Sequence, residues 1–452
     1  MIRNLLYILQ IENYSLKNFL RFAYSHPNWR RLEKRMTVIW TKKAVLIYAL
    51  SWGIILAVLI ASILNFGVRG LVVIIPVALL LPIIISLALI ILTPVDVVLK
   101  NQIVRKAKNI ITENKNLIVI GIAGSYGKTS SKEILCAILK EKYKVIAPDK
   151  NVNTDIGIAD FIIKNREALK NSDIFIVEMG AFKMQEIKKI CSIVNPDYGV
   201  LTGINESHLE KFGSLENIIK AKFELPQEVK KLAVLNFDDE NIKRHFARFQ
   251  IKKITGVSQG AAKNTNILDD FKGVEFTVNN IKFHTKLLAT HNISLIMLCI
   301  EIAKNLGMSL EEIVKGVEKV DYIKHRLEPI YNSQTNIWII DDSYNGNFAG
   351  FRSGVEILEK ARGRKIVLTP GLVELGKKSK EIHNQIGELY ENKKIDLVLL
   401  IRNRATPFIA EKLRTVPYKM YNSTREAHSD LVNVLRSGDT IIFQNDWPDN
   451  YF

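Results

Sequence analysis

Two apolar runs with only a six-residue break between them limit what this chain can become. The first, AVLIYALSWGIILAVLIASIL, covers the 21 residues Ala44 to Leu64 without a charge; the second, LVVIIPVALLLPIIISLALIILT, runs from Leu71 to Thr93, and only NFGVRG lies between. At ~1.5 Å per helical residue the first run spans roughly 31 Å, which matches the ~30 Å hydrocarbon thickness of a bilayer. A transmembrane helical hairpin is therefore expected over 44–94, with Pro76 and Pro82 tolerated as helix breakers are in membranes. A cleaved leader does not fit, because the first run starts 43 residues in and no small-residue cleavage site follows it.

Charge sets the expected orientation. Before the hairpin stand nine cations (Arg3, Lys17, Arg21, Arg30, Arg31, Lys34, Arg35, Lys42 and Lys43) against Glu12 and Glu33; Lys100, Arg105, Lys106 and Lys108 follow it, and the turn holds Arg69 alone. That bias puts both ends on the cytoplasmic side of a cell membrane. Residues 1–43 mix Leu, Phe, Tyr and Trp with these cations and read as a basic amphipathic juxtamembrane segment lying on the inner leaflet, with the lipid bilayer as partner. The net charge of +17 is thus partly local to the hairpin, and with no nucleic-acid module in the chain, nucleic-acid binding is not expected. Three scattered cysteines in apolar contexts, Cys136, Cys191 and Cys299, speak for a reduced compartment and against a zinc site.

From about Asn109 strand and helix patterns alternate. NLIVIGIAG, YKVIAP, SDIFIVEMG and PDYGVLTGI read as strands, with KTSSKEILCAILKEK and KMQEIKKICSIV as helices between them. This order predicts an α/β domain with a mainly parallel sheet covered on both faces. The Gly- and Asn-rich stretch 258–273 interrupts it, VEFTVNNIKFHTKLL reads as an antiparallel hairpin, and helices over 292–307 and 309–320 close the unit. A second series, NIWIIDDS, RKIVLTP, IDLVLLI and DTIIFQ, predicts a smaller α/β domain. The expected division is 95–325 and 326–452.

Chemistry concentrates at GIAGSYGKTSSKEIL. Gly124, Ser125, Gly127, Lys128, Thr129 and Ser130 stand between a strand and a helix, where backbone amides and a helix start can face phosphates, Lys128 can neutralise them, and the Thr129 hydroxyl can reach Mg2+. Glu178 ends a strand and can meet a cation at the carboxyl edge of the sheet, although one such acid can equally cap a helix. His208 and Lys222 follow in TGINESHLEKFGSLENIIKAKFEL, and singly each fits a structural or solvated role.

In that order the motifs resemble the Mur ligase family, most closely its MurF branch. AGSYGKTSSKE is similar to the family's short phosphate loop, NVNTDIGI to its Asn-rich loop, VEMGA to its magnesium-binding segment, and HNISL, HRLEPI, IIDDSYNGN and LVELGKKSKEIH to later motifs, over about residues 109–435. The resemblance implies a P-loop-type middle domain and a Rossmann-like C-terminal domain, with ATP and Mg2+ as cofactors. It implies that Lys128 and Thr129 bind ATP phosphates and magnesium, that Glu178 and His208 bind magnesium, and that Lys222 is the lysine the family carbamylates to support a second ion. His291 and Asn292 fall near the nucleotide, Arg326 near the γ-phosphate, and Asp342, Tyr344 and Asn345 near adenosine. Catalysis would rest on Lys128, Lys222, His208 and Arg326: a substrate carboxylate is activated as an acyl phosphate and joined to an amine, an amino acid or dipeptide, in cell-envelope precursor synthesis.

The chain departs from the family pattern in three motif positions, Ala289, Leu295 and Phe348, and in its last segment, where Asp446, Trp447 and Asp449 stand. The hairpin occupies the place of the family's UDP-sugar-binding domain, which leaves open a poly-γ-glutamate synthase-like ligase or an ATP-binding membrane scaffold as other functions.

Overall fold

The computed structural model describes residues 1–12, 14–25, 38–149, 152–206, 209–344, 346–373, 375–393 and 395–445. Contacts divide the chain into a helical unit, Met1–Gln102, and a larger α/β unit beginning at Ile103. His208, Asn345 and the segment with Asp446, Trp447 and Asp449 lie outside the described residues.

In the helical unit the first apolar run forms one helix, Lys42–Phe66, capped by the Thr41 hydroxyl, which accepts from the Ala44 amide. A 3-10 turn, Gly67–Val73, and a short helix, Ile74–Leu79, lead into the long helix Leu81–Glu113. Both long elements are long and apolar enough to cross a membrane. Hydroxyls along them bond their own backbone: Ser51 Oγ donates to the Ile47 carbonyl (2.7 Å), Ser86 Oγ to that of Pro82 (2.8 Å) and Thr93 Oγ1 to that of Leu89 (2.8 Å). A helix in hydrocarbon needs this, because no water is there to satisfy a stray hydroxyl. Lys43 and Lys100 both pair with Asp96, at 2.7 and 2.9 Å, and Trp40, Tyr48 and Trp52 form an edge-to-face row.

In the amino-terminal segment, helix Ile2–Ile11 buries Ile2, Leu5, Leu6, Ile8 and Leu9 in one cluster with Ile47, Ile55, Ile84 and Ile85. Arg3, Asn4 and Gln10 lie outside that buried set, so the helix has one apolar and one polar side. Helix Leu16–Ser25 buries only Phe19 and Ala23. One difference concerns the end of the hairpin: helix Leu81–Glu113 runs through Pro94 without a break, and Ala107, Ile110 and Ile111 near its end belong to the core of the α/β unit.

That unit has the expected mainly parallel sheet. Strands β1 (Ile118–Ala123), β2 (Val145–Ile146), β3 (Ile174–Met179), β4 (Tyr198–Leu201), β5 (Leu232–Asn236) and β6 (Ile254–Val257) lie in the order β2-β3-β1-β4-β5-β6, all parallel. Alternation builds two cores. Ile120 and Ile122 of β1, with Ile174 and Ile176 of β3, face helices Lys128–Leu139 and His291–Asn305; Val119, Ala123, Phe175 and Val177 face the opposite layer with helices Glu186–Val194 and Leu215–Glu228. A small antiparallel sheet follows, β7 (Lys263–Ile267), β8 (Val274–Val278) and β9 (Ile281–Thr285), whose hairpin turns at Asn279 and Asn280, both at positive φ.

The third sheet holds β10 (Glu328–Asn332), β11 (Ile337–Asp342), β12 (Lys365–Gly371), β13 (Leu397–Ile401), β14 (Tyr418–Tyr421) and β15 (Thr440–Asn445), in the order β10-β11-β15-β12-β13-β14. Only the β10–β11 pairing is antiparallel.

At the hairpin tip a Cβ on Gly70 would fall 2.4 Å from the Ser62 carbonyl oxygen, whereas at Gly53 nothing lies within 4 Å. Gly70→Val is expected to destabilise the hairpin by about 1–3 kcal/mol, seen as a lowered melting temperature in detergent, while Gly53→Val leaves it within experimental scatter.

Candidate active site

The carboxyl edge of β1 opens into the loop Gly124–Gly127, and helix Lys128–Leu139 begins directly after it. Gly127 is left-handed, with φ +77°, and a Cβ at Gly124 would lie 2.1 Å from Thr202 Oγ1, so both positions need glycine. The amides of Lys128, Thr129 and Ser130 belong to the first helical turn and have no intrahelical acceptor, which leaves them directed outward with the positive end of the helix. Ser125 is engaged differently: its amide donates to the Gly203 carbonyl at 2.7 Å, and its own carbonyl lies 3.5 Å from Lys128 Nζ.

Lys128 Nζ donates to the Gly124 carbonyl at 2.9 Å. Loss of water in the cleft lowers its pKa; Glu178 pushes the other way, and the nearby Arg326 guanidinium adds to the lowering. Glu178 points to the same sheet face as Ile174 and Ile176, the face that carries the phosphate-loop helix. The pleat therefore brings it to Thr129, whose Oγ1 donates to Glu178 Oε2 at 2.9 Å. Asn153 Nδ2 donates to the other oxygen at 3.2 Å, and its own carbonyl accepts the Gly180 amide at 2.7 Å. Oxygen donors on Thr129 and Glu178 are the hard ligands that suit Mg2+, and the glycine loop with its ammonium suits a phosphate chain.

Lys222, buried in helix Leu215–Glu228, donates to the Ala181 carbonyl at 3.4 Å and lies 5.6 Å from the Phe212 ring centre. Burial, then the Lys128 charge, pull its pKa down to about 7. Across the cleft, His291 Nδ1 meets Ser353 Oγ at 3.1 Å and Asn292 is buried at the same helix start. Leu295, one turn on, packs on the phosphate loop at Gly127. Arg326 lies over the Tyr344 ring at 4.7 Å and donates to the Tyr344 carbonyl at 2.5 Å. His325 and Glu328 flank it: His325 pairs with Asp341 at 2.8 Å, and Glu328 accepts the His325 amide at 3.1 Å. Desolvation raises the Asp342 carboxyl to about 7 against the pull of Arg326.

Lys128, Thr129, Glu178, Lys222 and Arg326 are thus close enough to bond or to shift one another's charge. Sequence reasoning overlooked three contributors. Asn153 lies within the quoted Asn-rich loop but carries no mark of its hold on Glu178. Lys132, buried on the phosphate-loop helix, donates to the Pro148 carbonyl at 2.9 Å and so pins the start of that same loop. Lys378, in the C-terminal part, bridges to Glu206 at 3.0 Å, two residues before His208. Such pairings between distant segments leave no local pattern.

Residues 122–303 match the Mur ligase middle domain and residues 325–444 the Mur ligase, glutamate ligase domain, together two thirds of the chain. The chain belongs to the Mur ligase family, whose members are ATP-dependent ligases that join an acid to an amino acid. Among its relatives is the UDP-N-acetylmuramoyl-tripeptide–D-alanyl-D-alanine ligase of Bacillus subtilis (strain 168), 28% identical over 339 residues that cover 72% of each chain. The fold is shared with MurF of Acinetobacter baumannii (TM-score 0.68, 23% identity, 77% of both chains). It is shared also with MurF of Thermotoga maritima in complex with ADP (TM-score 0.66, 24% identity, 76% of this chain and 80% of that one).

Lys222 has a measurable signature. Its folded pKa lies below the ordinary lysine value, so between the two the unfolded chain binds more protons, and this residue's burden on stability eases as pH rises from about 7 towards 10. Lys222→Met should therefore be more stable than the parent at pH 6.5 by on the order of 2 kcal/mol, with the gain fading by pH 10, in thermal melts run in CO2-free buffer.

Proposed function

We propose that this chain is a membrane-anchored Mur ligase that activates a carboxylate on an envelope precursor and joins it to an amino acid or dipeptide. Its ATP-binding domain would span 95–325 and its C-terminal domain 326–452, both on the cytoplasmic side. The observation that carries the reading is the Thr129–Glu178 contact beside Lys128 at the mouth of a glycine loop. These groups suit a metal-bound triphosphate.

In this reading Lys128 and the amides at the helix start hold the ATP phosphates, while Thr129, Glu178 and His208 hold magnesium. When bound, magnesium supplies charge withdrawal from the γ-phosphoryl group. The substrate carboxylate attacks that phosphorus, the bond to ADP breaks, and an acyl phosphate results. The amine then attacks the acyl carbon, loses a proton, and inorganic phosphate leaves. Arg326 and Lys128 offset charge in the first step. Lys222, with its pKa near neutrality, has a neutral amine available to take up CO2, and the resulting carbamate would turn a cation into a further oxygen ligand.

The membrane part rests on the hairpin's exposed apolar side chains, such as Leu56, Leu64, Ile75 and Ile90, together with its internally bonded hydroxyls and its charged base. The name of the Bacillus relative suggests the substrate pair, a muramoyl tripeptide carboxylate and D-alanyl-D-alanine.

Full-length protein in detergent should release phosphate only when both a carboxylate precursor and an amine are present, and Lys128→Ala should lower kcat/KM by about 10²–10³. Full-rate release without the amine would refute a ligase, and mass spectra showing a growing homopolymer would move the assignment to a poly-γ-glutamate type of ligase. For the anchor, an Arg69→Cys variant in intact cells should react with a membrane-impermeant maleimide, against a low background because Cys136, Cys191 and Cys299 are all buried.

A further inference from the structure

We propose that Tyr126, the large residue inside the phosphate loop, is a positioning residue that sets ATP affinity by tying that loop to the segment leading into the metal site. The inference rests on the ATP-binding reading above but assigns a role to a residue that no motif singles out.

The Tyr126 ring lies flat on Gly203: a Cβ there would fall 2.0 Å from the ring Cζ and 2.4 and 2.5 Å from its neighbours. Its hydroxyl donates to Asp239 Oδ2 at 2.7 Å. The same carboxylate oxygen accepts the Ile204 amide at 2.8 Å, and the other one caps helix Glu240–His245 through the Ile242 amide at 2.9 Å. Around the ring the main chains are also stitched: Ser125 N–H donates to the Gly203 carbonyl at 2.7 Å, Thr202 N–H to the Ala123 carbonyl at 2.9 Å, and Thr202 Oγ1 to the Tyr126 carbonyl. The phosphate loop, the exit of β4 and the exit of β5 therefore meet at one side chain and one carboxylate.

The loop belongs to neither a strand nor a helix, so its shape depends on what it is tied to. Between β1 and Lys128 only Tyr126 reaches another element with its side chain at full hydrogen-bond strength; Ser125 Oγ meets the Asn205 carbonyl at 3.5 Å, a marginal distance. A bond to a buried carboxylate is also of the stronger kind. Releasing it frees the loop to shift relative to Glu178 and Lys128, and phosphate contacts weaken steeply with such a shift. The tie joins only the phosphate loop and the exits of β4 and β5, so the effect is expected on the nucleotide.

The test titrates a fluorescent ATP analogue into full-length protein in detergent, with thermal melts and separate KM values for ATP and amine. Tyr126→Phe, which keeps the ring on Gly203, should weaken the analogue about tenfold and raise the ATP KM alike, with the amine KM within twofold and the melt nearly unchanged. Asp239→Asn, which also disturbs the Ile204 and Ile242 amides, should lose at least as much, and the double variant little more than Asp239→Asn alone, because the tyrosine bond is already gone in it. Tyr126→Phe binding the analogue as tightly as the parent, or fully additive losses in the double variant, would overturn the proposal. Parent protein that binds no analogue at all would remove the ATP reading itself.

Discussion

Thr129 can reach Glu178 only because two neighbouring parallel strands are in a register that sets Ile122 opposite Glu178. The pleat turns that carboxylate towards the sheet face on which the phosphate-loop helix packs, while Val177 and Met179 turn the other way into apolar core. A slip of one residue would bury Glu178 among those residues and expose a methionine to the cleft. The strand interior thus enforces the site: Ile174 and Ile176 on one face and Phe175 and Val177 on the other leave no alternative register that keeps both cores dry. Asn153, Lys132 and Tyr126 then act as fixings added to a placement that hydrophobic packing has already made.

The two long helices are built on another pattern. Ser51, Ser86 and Thr93 bond their own backbone, and apolar residues lie on both sides: Ile47, Ile55, Ile84, Ile85 and Leu89 are buried, while Leu56, Leu64 and Ile90 are exposed. Lys43 and Lys100 share Asp96 as partner. By length and composition both helices could cross a membrane.

Much of this was legible in the order of residues, and the exceptions share a cause. Apolar runs of strand length predicted β1, β3 and β4 and the central strands of the third sheet, because buried parallel strands carry their own signal; β5, LAVLN, is as buried but was not singled out. The edge strands β6, β7, β10 and β14 were missed: ITGV, KNTNI, EPIYN and YKMY are mostly solvated, and their pairing comes from a neighbour, not from their own composition. The strand expected at YKVIAP shrinks to two residues at the opposite edge for the same reason. The phosphate loop, Glu178 and Lys222 stood out because their chemistry is tied to spacing. Asn153, Lys378 and the Tyr126–Asp239 pair did not, since each acts on a residue 25 to 172 positions away.

The ring of Tyr126 resting on Gly203 also bears on how this protein can change over generations. An aromatic residue at 126 and a side chain at 203 exclude each other. A lineage could shrink residue 126 first and only then fill position 203, and could return only by emptying 203 before restoring the ring; the other order passes through a blocked intermediate. The two positions can therefore exchange bulk only through a state in which both are small.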